Sequence, residues 1–244
     1  MFYKRKYLFL CTCLAFNLLF FAAKGQDINT IVNKLSEGLG NKQSLAEARF
    51  LMFSCISEAH EQIKGEHLFL YDWKSKNCRF DGNTGDGKSL TVLFNAANQS
   101  GEVFIDQEKT RSPEILKLVR EMFSLDSYFL FTPILIANRS VHPVAQDSEI
   151  IDSRRYYVLR VNSMANNGNY SELFIDSQSG NISYWKTFDK STDKTYEFIT
   201  SKIKDVGGGL TLATRFTDKK NGKIIEYPVV SALLNIEPEK FKTP

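Results

Sequence analysis

Ser112-Pro113-Glu114-Ile115-Leu116-Lys117-Leu118-Val119-Arg120-Glu121-Met122-Phe123, followed closely by Tyr128-Phe129-Leu130-Phe131-Thr132-Pro133-Ile134-Leu135-Ile136-Ala137, is the stretch on which the fold turns. Ser112 suits an N-cap and Pro113 the first helical position. Ile115, Val119, Met122 and Phe123 recur at helical spacing, with Lys117, Arg120 and Glu121 on the other side. The pattern predicts an amphipathic helix that covers something apolar. The run behind it is too short to span a bilayer, and Pro133 predicts a break in it. Two readings follow. One is a lid over an apolar hollow; the other is an ordinary helix plugging one end of a filled β core.

On either side of this stretch the sequence reads as strands at hairpin spacing. Before it come Phe50 to Ser57, His67 to Trp73, Cys78 to Asp81, Leu90 to Ala96 and Gly101 to Asp106. After it come Glu149 to Ile151, Arg155 to Val161, Tyr170 to Ile175, Ile182 to Phe188 and Lys194 to Ile203. The turns between the later strands fall at Ala165 to Asn169, Asp176 to Gly180 and Asp189 to Asp193. A last pair, Leu210 to Asp218 and Lys223 to Leu234, is joined through Asn221-Gly222, a strong hairpin dipeptide. An earlier helical stripe, Ile28, Ile31, Val32, Leu35 and Leu39, ends at Gly38 and Gly40, with a further turn expected over Gln43 to Ala48. Helix, strands, helix, strands predicts an α+β fold, mostly antiparallel, in which a strongly curved sheet or open barrel has its helices gathered at one side.

The N-terminus reads as an export signal. Lys4, Arg5 and Lys6 precede an apolar run from Tyr7 to Ala23, and the small residues Ala23 and Gly25 predict cleavage after Gly25. Cys11 and Cys13 lie inside that run behind Leu10 and Thr12, which disfavours lipid attachment; an uncleaved anchor is the alternative reading. Residues 26–244 then form one domain. The whole chain has 31 Lys and Arg against 28 Asp and Glu, and the signal holds four of the basic residues (Lys4, Arg5, Lys6, Lys24), so the net charge falls from +3 to about −1. The remaining charges are interspersed, with no footprint for nucleic acid. Two cysteines survive maturation, Cys55 and Cys78. A strand is expected between theirs, which places them about two strand spacings apart and beyond disulfide reach, so buried free thiols are expected, with a Cys55–Cys78 bridge as the alternative reading.

Four pieces, in collinear order, resemble the LolA and LolB-like family of periplasmic lipoprotein carriers. Trp73 to Phe80 resembles its strand-to-strand corner, with a basic residue before an aromatic at Arg79-Phe80. Asp86-Gly87-Lys88-Ser89-Leu90 resembles its Asp-Gly-Lys hairpin, Thr132 to Ala137 its mid-chain lid segment, and Phe241-Lys242-Thr243-Pro244 its closing Phe-x-x-Pro. The corner lacks the proline that many members have before the basic residue. The resemblance implies a half-open curved β-barrel with helices covering the mouth. It further implies a monomeric, non-enzymatic protein that exchanges lipid or lipoprotein acyl chains, with an inner-membrane donor or an outer-membrane acceptor as its protein partners.

Other motifs carry less. Gly82-Asn83-Thr84-Gly85-Asp86-Gly87-Lys88-Ser89 satisfies the phosphate-loop pattern, but that chemistry needs a helix after Ser89. Leu90-Thr91-Val92-Leu93-Phe94 reads as a strand instead. An EF-hand reading of Asp81, Asn83 and Asp86 fails because its fifth and twelfth positions are Gly85 and Val92. His60-Glu61 lacks the second histidine of a zinc helix, residue 64 being lysine. His67 and His142 are read as solvated or capping. No metal or cofactor is implied, and neither cysteine has an acid-base partner. The positive signal is aromatic: 19 phenylalanines, with Phe69, Tyr71, Trp73, Phe94, Phe104, Phe174, Tyr184, Tyr196 and Phe198 spread over successive strands.

These readings converge on an apolar cavity. Phe69, Tyr71, Trp73 and Phe94 are its expected wall; Val119, Met122, Phe123, Phe131, Ile134 and Leu135 are its expected lid. Arg79 is the expected polar anchor at the rim, pairing with lid carbonyls or a head group. The rival expectations are a filled core that recognises a protein through a sheet edge or exposed patch, and a hydrolase with clustered polar groups in a cleft.

Overall fold

Strand order positions everything else. A computed structural model describes residues 27–40, 43, 47–56, 66–98, 100–162 and 168–244. In it, helix α1 (Ile28–Gly38) leads into strands β1 (Phe50–Phe53), β2 (Leu68–Asp72), β3 (Asn77–Asn83), β4 (Ser89–Asn95), β5 (Gly101–Ile105) and β6 (Glu108–Thr110). Helix α2 (Pro113–Ala137) crosses to β7 (Val144–Ile151), β8 (Arg154–Asn162), β9 (Tyr170–Asp176), β10 (Ile182–Asp189), β11 (Lys194–Asp205) and β12 (Thr211–Asp218). The chain closes with β13 (Ile224–Glu226), β14 (Val230–Leu233) and a 3₁₀ turn, Pro238–Phe241. The export signal and its cleavage site, the histidine at 60 and half of the expected Gln43 to Ala48 turn lie outside the described residues.

The strands form two antiparallel sheets of seven, in the orders β14-β1-β2-β3-β4-β5-β6 and β13-β12-β11-β10-β9-β8-β7. A seam joins them. Ile56 and Glu226 exchange backbone hydrogen bonds of 2.8 and 3.1 Å, and the Ala232 N–H donates to the Val206 carbonyl at 2.6 Å. At the far side, among the described residues, β6 and β7 are unpaired edges and no closed barrel forms; α2 is the connection between them. This is the expected α+β half-open arrangement.

Its details depart from the sequence reading in three places. The last strand, expected as Lys223 to Leu234, is split at Tyr227-Pro228-Val229. Pro228 has no N–H for a ladder, and β13 and β14 consequently serve different sheets. Glu108–Thr110 adds an edge strand that was not expected. The break predicted at Pro133 is absent, and α2 runs as one helix of 25 residues. A mid-helix proline costs about 3 kcal/mol, but every residue from Phe129 to Ile134 is buried, and their packing outweighs that cost. Among the described residues no helix is long and apolar enough to cross a membrane.

The ends of the helices follow local chemistry. The Asp27 carboxylate caps α1, accepting from the Asn29 N–H at 3.2 Å. Ser112 stands at the N-cap of α2 without a side-chain hydrogen bond, and Pro113 begins the first turn. The buried stripe of α1 is Ile31, Val32 and Leu35, with Leu39 at its end. It docks where Gly38 meets Gly180: a Cβ on Gly38 would stand 2.2 Å from the Gly180 carbonyl oxygen. Only glycine permits that backbone contact.

Candidate functional site

The register of the first sheet builds two inward rows. One runs Phe53, Phe69, Phe80, Val92 and Val103; its neighbour runs Leu51, Tyr71, Cys78, Phe94 and Gly101. Against these rows α2 presents Val119, Met122 and Phe123, then Phe131 and Ile134, all buried. Phe123 is the hub, with ring centroids 5.4 Å from Phe69, 5.3 Å from Tyr71, 5.6 Å from Phe94 and 5.7 Å from Phe131. Phe131 in turn lies 4.4 Å from Trp73. The expected wall and lid residues are thus brought together, and in this arrangement they pack on one another.

At the margin of that cluster the packing stops. An open cleft of about 520 Å³ runs along α2, lined by Tyr71, Trp73, Phe94, Phe123, Phe131 and Leu135 among others. Six of the ten expected apolar residues line it. Ile134 borders a neighbouring cleft, and Phe69, Val119 and Met122 sit deeper, in the filled core. The helix also contributes Arg120, Ser124, Ser127, Tyr128 and Thr132 to the same cleft. With Phe123, Phe131 and Leu135 these recur at three- and four-residue intervals, one helix face. The sequence reading followed only the apolar members of that face and missed the rest. Burial pushes the Tyr71 phenol up to about 12, helped by Cys78 and Asp72, so Tyr71 stays neutral in the cleft.

Arg79 is not at this mouth. It belongs to the outward row with Leu70 and Leu93, pairs with Asp81 at 2.6 Å, and donates to the carbonyls of Lys240 and Thr243 at 3.0 and 2.7 Å. The carbonyls it meets are those of the C-terminal tail, which lies across the back of the sheet with Phe241 6.1 Å from Phe50. Phe174 and Tyr184 likewise face outward, forming a separate cluster with Tyr156 and Val158. A register shift between Ile182 and Tyr184 changes which residues of β10 point inward, and Trp185 takes the interior place. Tyr196 is exposed.

A second feature was not foreseen. His67, read as solvated or capping, is buried, with its Nε2 3.1 Å from a carboxylate oxygen of Asp126, itself buried in mid-helix. The Tyr227 hydroxyl donates to the Asp126 carbonyl at 2.7 Å. These contacts tie α2 to the start of β2 and to the β13–β14 crossover. Charged residues are rarely buried without partners, and the crossover brings Tyr227 to α2 only through the tertiary fold. Cys55 and Cys78 are buried free thiols, and burial raises both well above the ordinary thiol range. His142 is exposed. Gly82 to Ser89 is the β3–β4 hairpin, Ser89 opening a strand, so the phosphate-loop geometry is absent there. Among the described residues no cluster of His, Cys, Asp and Glu has the makings of a metal site.

No family model matches the chain, and no curated protein matches it in sequence. Solved structures do. A LolA superfamily protein from Nitrosomonas europaea is 16% identical, with 88% of this chain and 97% of that one covered, at a TM-score of 0.48. The chain is similar in structure to LolA superfamily proteins. A Vibrio parahaemolyticus domain assigned to outer membrane lipoprotein sorting is 11% identical over 89% of this chain and 96% of that one, at a TM-score of 0.45. A DUF1329 family protein from Desulfovibrio piger is 9% identical over 88% and 96%, at 0.40. These are likenesses of chain course, and the architecture itself stands on the strand order, the seam and the two free edges.

Proposed function

We propose that the chain is an exported, non-enzymatic binding protein, mature as residues 26–244, that holds acyl chains of a lipid or lipoprotein between α2 and the first sheet. The observation that carries this reading is the cleft beside Trp73 and Leu135. It is apolar along Tyr71, Phe94, Phe123 and Phe131, and its volume of about 520 Å³ falls in the range of small-molecule sites. Each methylene buried there contributes about 0.8 kcal/mol, without covalent chemistry. A longer chain enters by displacing Phe123 and Phe131 from Tyr71 and Trp73, exchanging ring contacts within the protein for contacts with the ligand. Release reverses the exchange, which requires the two arrangements to differ by only a few kcal/mol. Cargo then passes from an inner-membrane donor or to an outer-membrane acceptor.

Native mass spectrometry of the mature protein, purified from cells without detergent, tests the reading. An acylated species released from the protein supports it and names the cargo class. A bare chain that also fails to take up a fluorescent fatty acid overturns it in favour of a protein-binding module.

A further inference from the structure

The cleft along α2 adjoins a second one of about 500 Å³, and the two share Trp73, Lys76 and Leu135. The charged side chains lining the pair are Arg49, Lys74, Lys76 and Arg120, all basic. Among the described residues no aspartate or glutamate lines either cleft, although the chain has 28 of them against 31 basic residues. Arg49 is committed to Asp72, 3.0 Å away. Among the described residues Lys74 and Lys76 form no ion pair.

Lys76 is also held in place. Its backbone adopts φ +63°, a conformation uncommon for a lysine. The strain is carried by two backbone hydrogen bonds: its N–H donates to the Asp72 carbonyl at 2.8 Å and its carbonyl accepts from the Ala96 N–H at 2.9 Å. The ammonium lies 6.0 Å from the Trp73 ring centroid, at the junction of the two clefts. An apolar floor with unpaired ammonium groups at its edge is complementary to an amphiphile whose polar end is negative.

We infer that the ligand is an acyl lipid with an anionic head group. Its chain lies against Tyr71, Phe123, Phe131 and Leu135, and its carboxylate or phosphate rests against Lys76 and Lys74. This rests on the acyl-binding reading above and adds the class of head group.

Titration calorimetry with three ligands that share one oleoyl chain, each below its micelle concentration, separates the two claims. Oleate carries a carboxylate, oleoyl lysophosphatidic acid a phosphate, and monoolein no charge. The anionic pair is expected to bind about tenfold more tightly than monoolein at low salt, and the advantage to shrink as salt is added. The double substitution Lys74→Gln with Lys76→Gln, at positions outside the core, is expected to weaken oleate and lysophosphatidic acid binding about tenfold and monoolein binding much less, which brings the three to near parity. Tighter binding of oleate assigns the site to free fatty acids, and tighter binding of the phosphate assigns it to phospholipid. Equal affinity for all three in the unsubstituted protein overturns the head-group inference and leaves acyl binding standing. A preference that survives the double substitution overturns the assignment to these lysines. Binding of none of the three overturns both claims.

Discussion

The two faces of α2 meet opposite treatment. Toward the second sheet, Phe129 lies 4.4 Å from Phe216, 4.9 Å from Trp185 and 5.2 Å from Phe198, and the Tyr128 hydroxyl is 2.7 Å from that of Ser171. Helix α1 closes the remaining gap, and the space left between them, about 20 Å³, is no larger than a single water needs. Toward the first sheet the rings meet as closely at the centre, but among the described residues no second helix covers the margin, and a cleft of about 520 Å³ remains. One helix therefore has a sealed side and an open side. The difference lies in what covers the helix more than in the helix itself, since both faces carry phenylalanines. It teaches that ligand space in this fold arises where a covering element stops.

The contrast is broken most severely at its sealed side. Phe129→Ala removes the ring shared by Trp185, Phe198 and Phe216 and is expected to cost about 3–5 kcal/mol in urea unfolding. A cost under about 1 kcal/mol would mean that the second sheet does not anchor α2. Gly38→Ala comes next. Its new Cβ must push α1 off the Gly180 carbonyl, for an expected loss of about 1–3 kcal/mol. It should also raise binding of an apolar dye as the seal opens, and an unchanged signal would place the seal elsewhere.

Tyr227→Phe withdraws one buried hydrogen bond from the Asp126 carbonyl, with about 1–2 kcal/mol of stability expected to go with it. On the open side, Leu135→Ala should change stability by roughly 1 kcal/mol, because the side chain is only partly covered, while weakening acyl binding several-fold. A loss equal to that of Phe129→Ala would show that the open side is as well packed as the sealed one.

A further effect is acid-dependent. Burial alone raises the Asp72 carboxyl. The Arg49 guanidinium, the Lys74 and Ser75 N–H groups and the Ser75 hydroxyl outweigh it and hold the carboxyl at about 2. The folded value lies below the unfolded one of about 3.9, so this contribution is complete above pH 4 and is lost as the pH falls toward 2. Asp72→Asn should flatten the acid limb of the stability curve in that window. An unchanged limb would remove the Arg49–Asp72 pair from the support of the Trp73 corner.

Much of the fold was legible because it rests on local signals. The 3.6-residue stripe of α1, the aromatic and β-branched runs of β2 and β4, and Asn221-Gly222 each declare themselves within a dozen residues. The site was half legible. Tyr71, Trp73, Phe94, Phe123, Phe131 and Leu135 were chosen for being large and apolar, and the cleft does lie among them. Arg79 was misplaced because alternation tells which residues share a face but not which face is inside. Trp185 was missed because a bulge reverses parity part-way along β10.

By itself, then, the sequence determined the periodic patterns of strand and helix, the α2 crossing between two runs of hairpins, and an abundance of aromatic groups over successive strands. Those follow from side-chain periodicity, which is a property of the chain. Only the tertiary structure decided that α2 continues through Pro133, that β13 and β14 serve different sheets, that His67 and Asp126 meet in the interior, and that Lys74 and Lys76 line two adjoining clefts in which, among the described residues, no carboxylate stands. Each of these depends on what distant segments bring to a residue, and burial by such partners outweighs local preference by several kcal/mol.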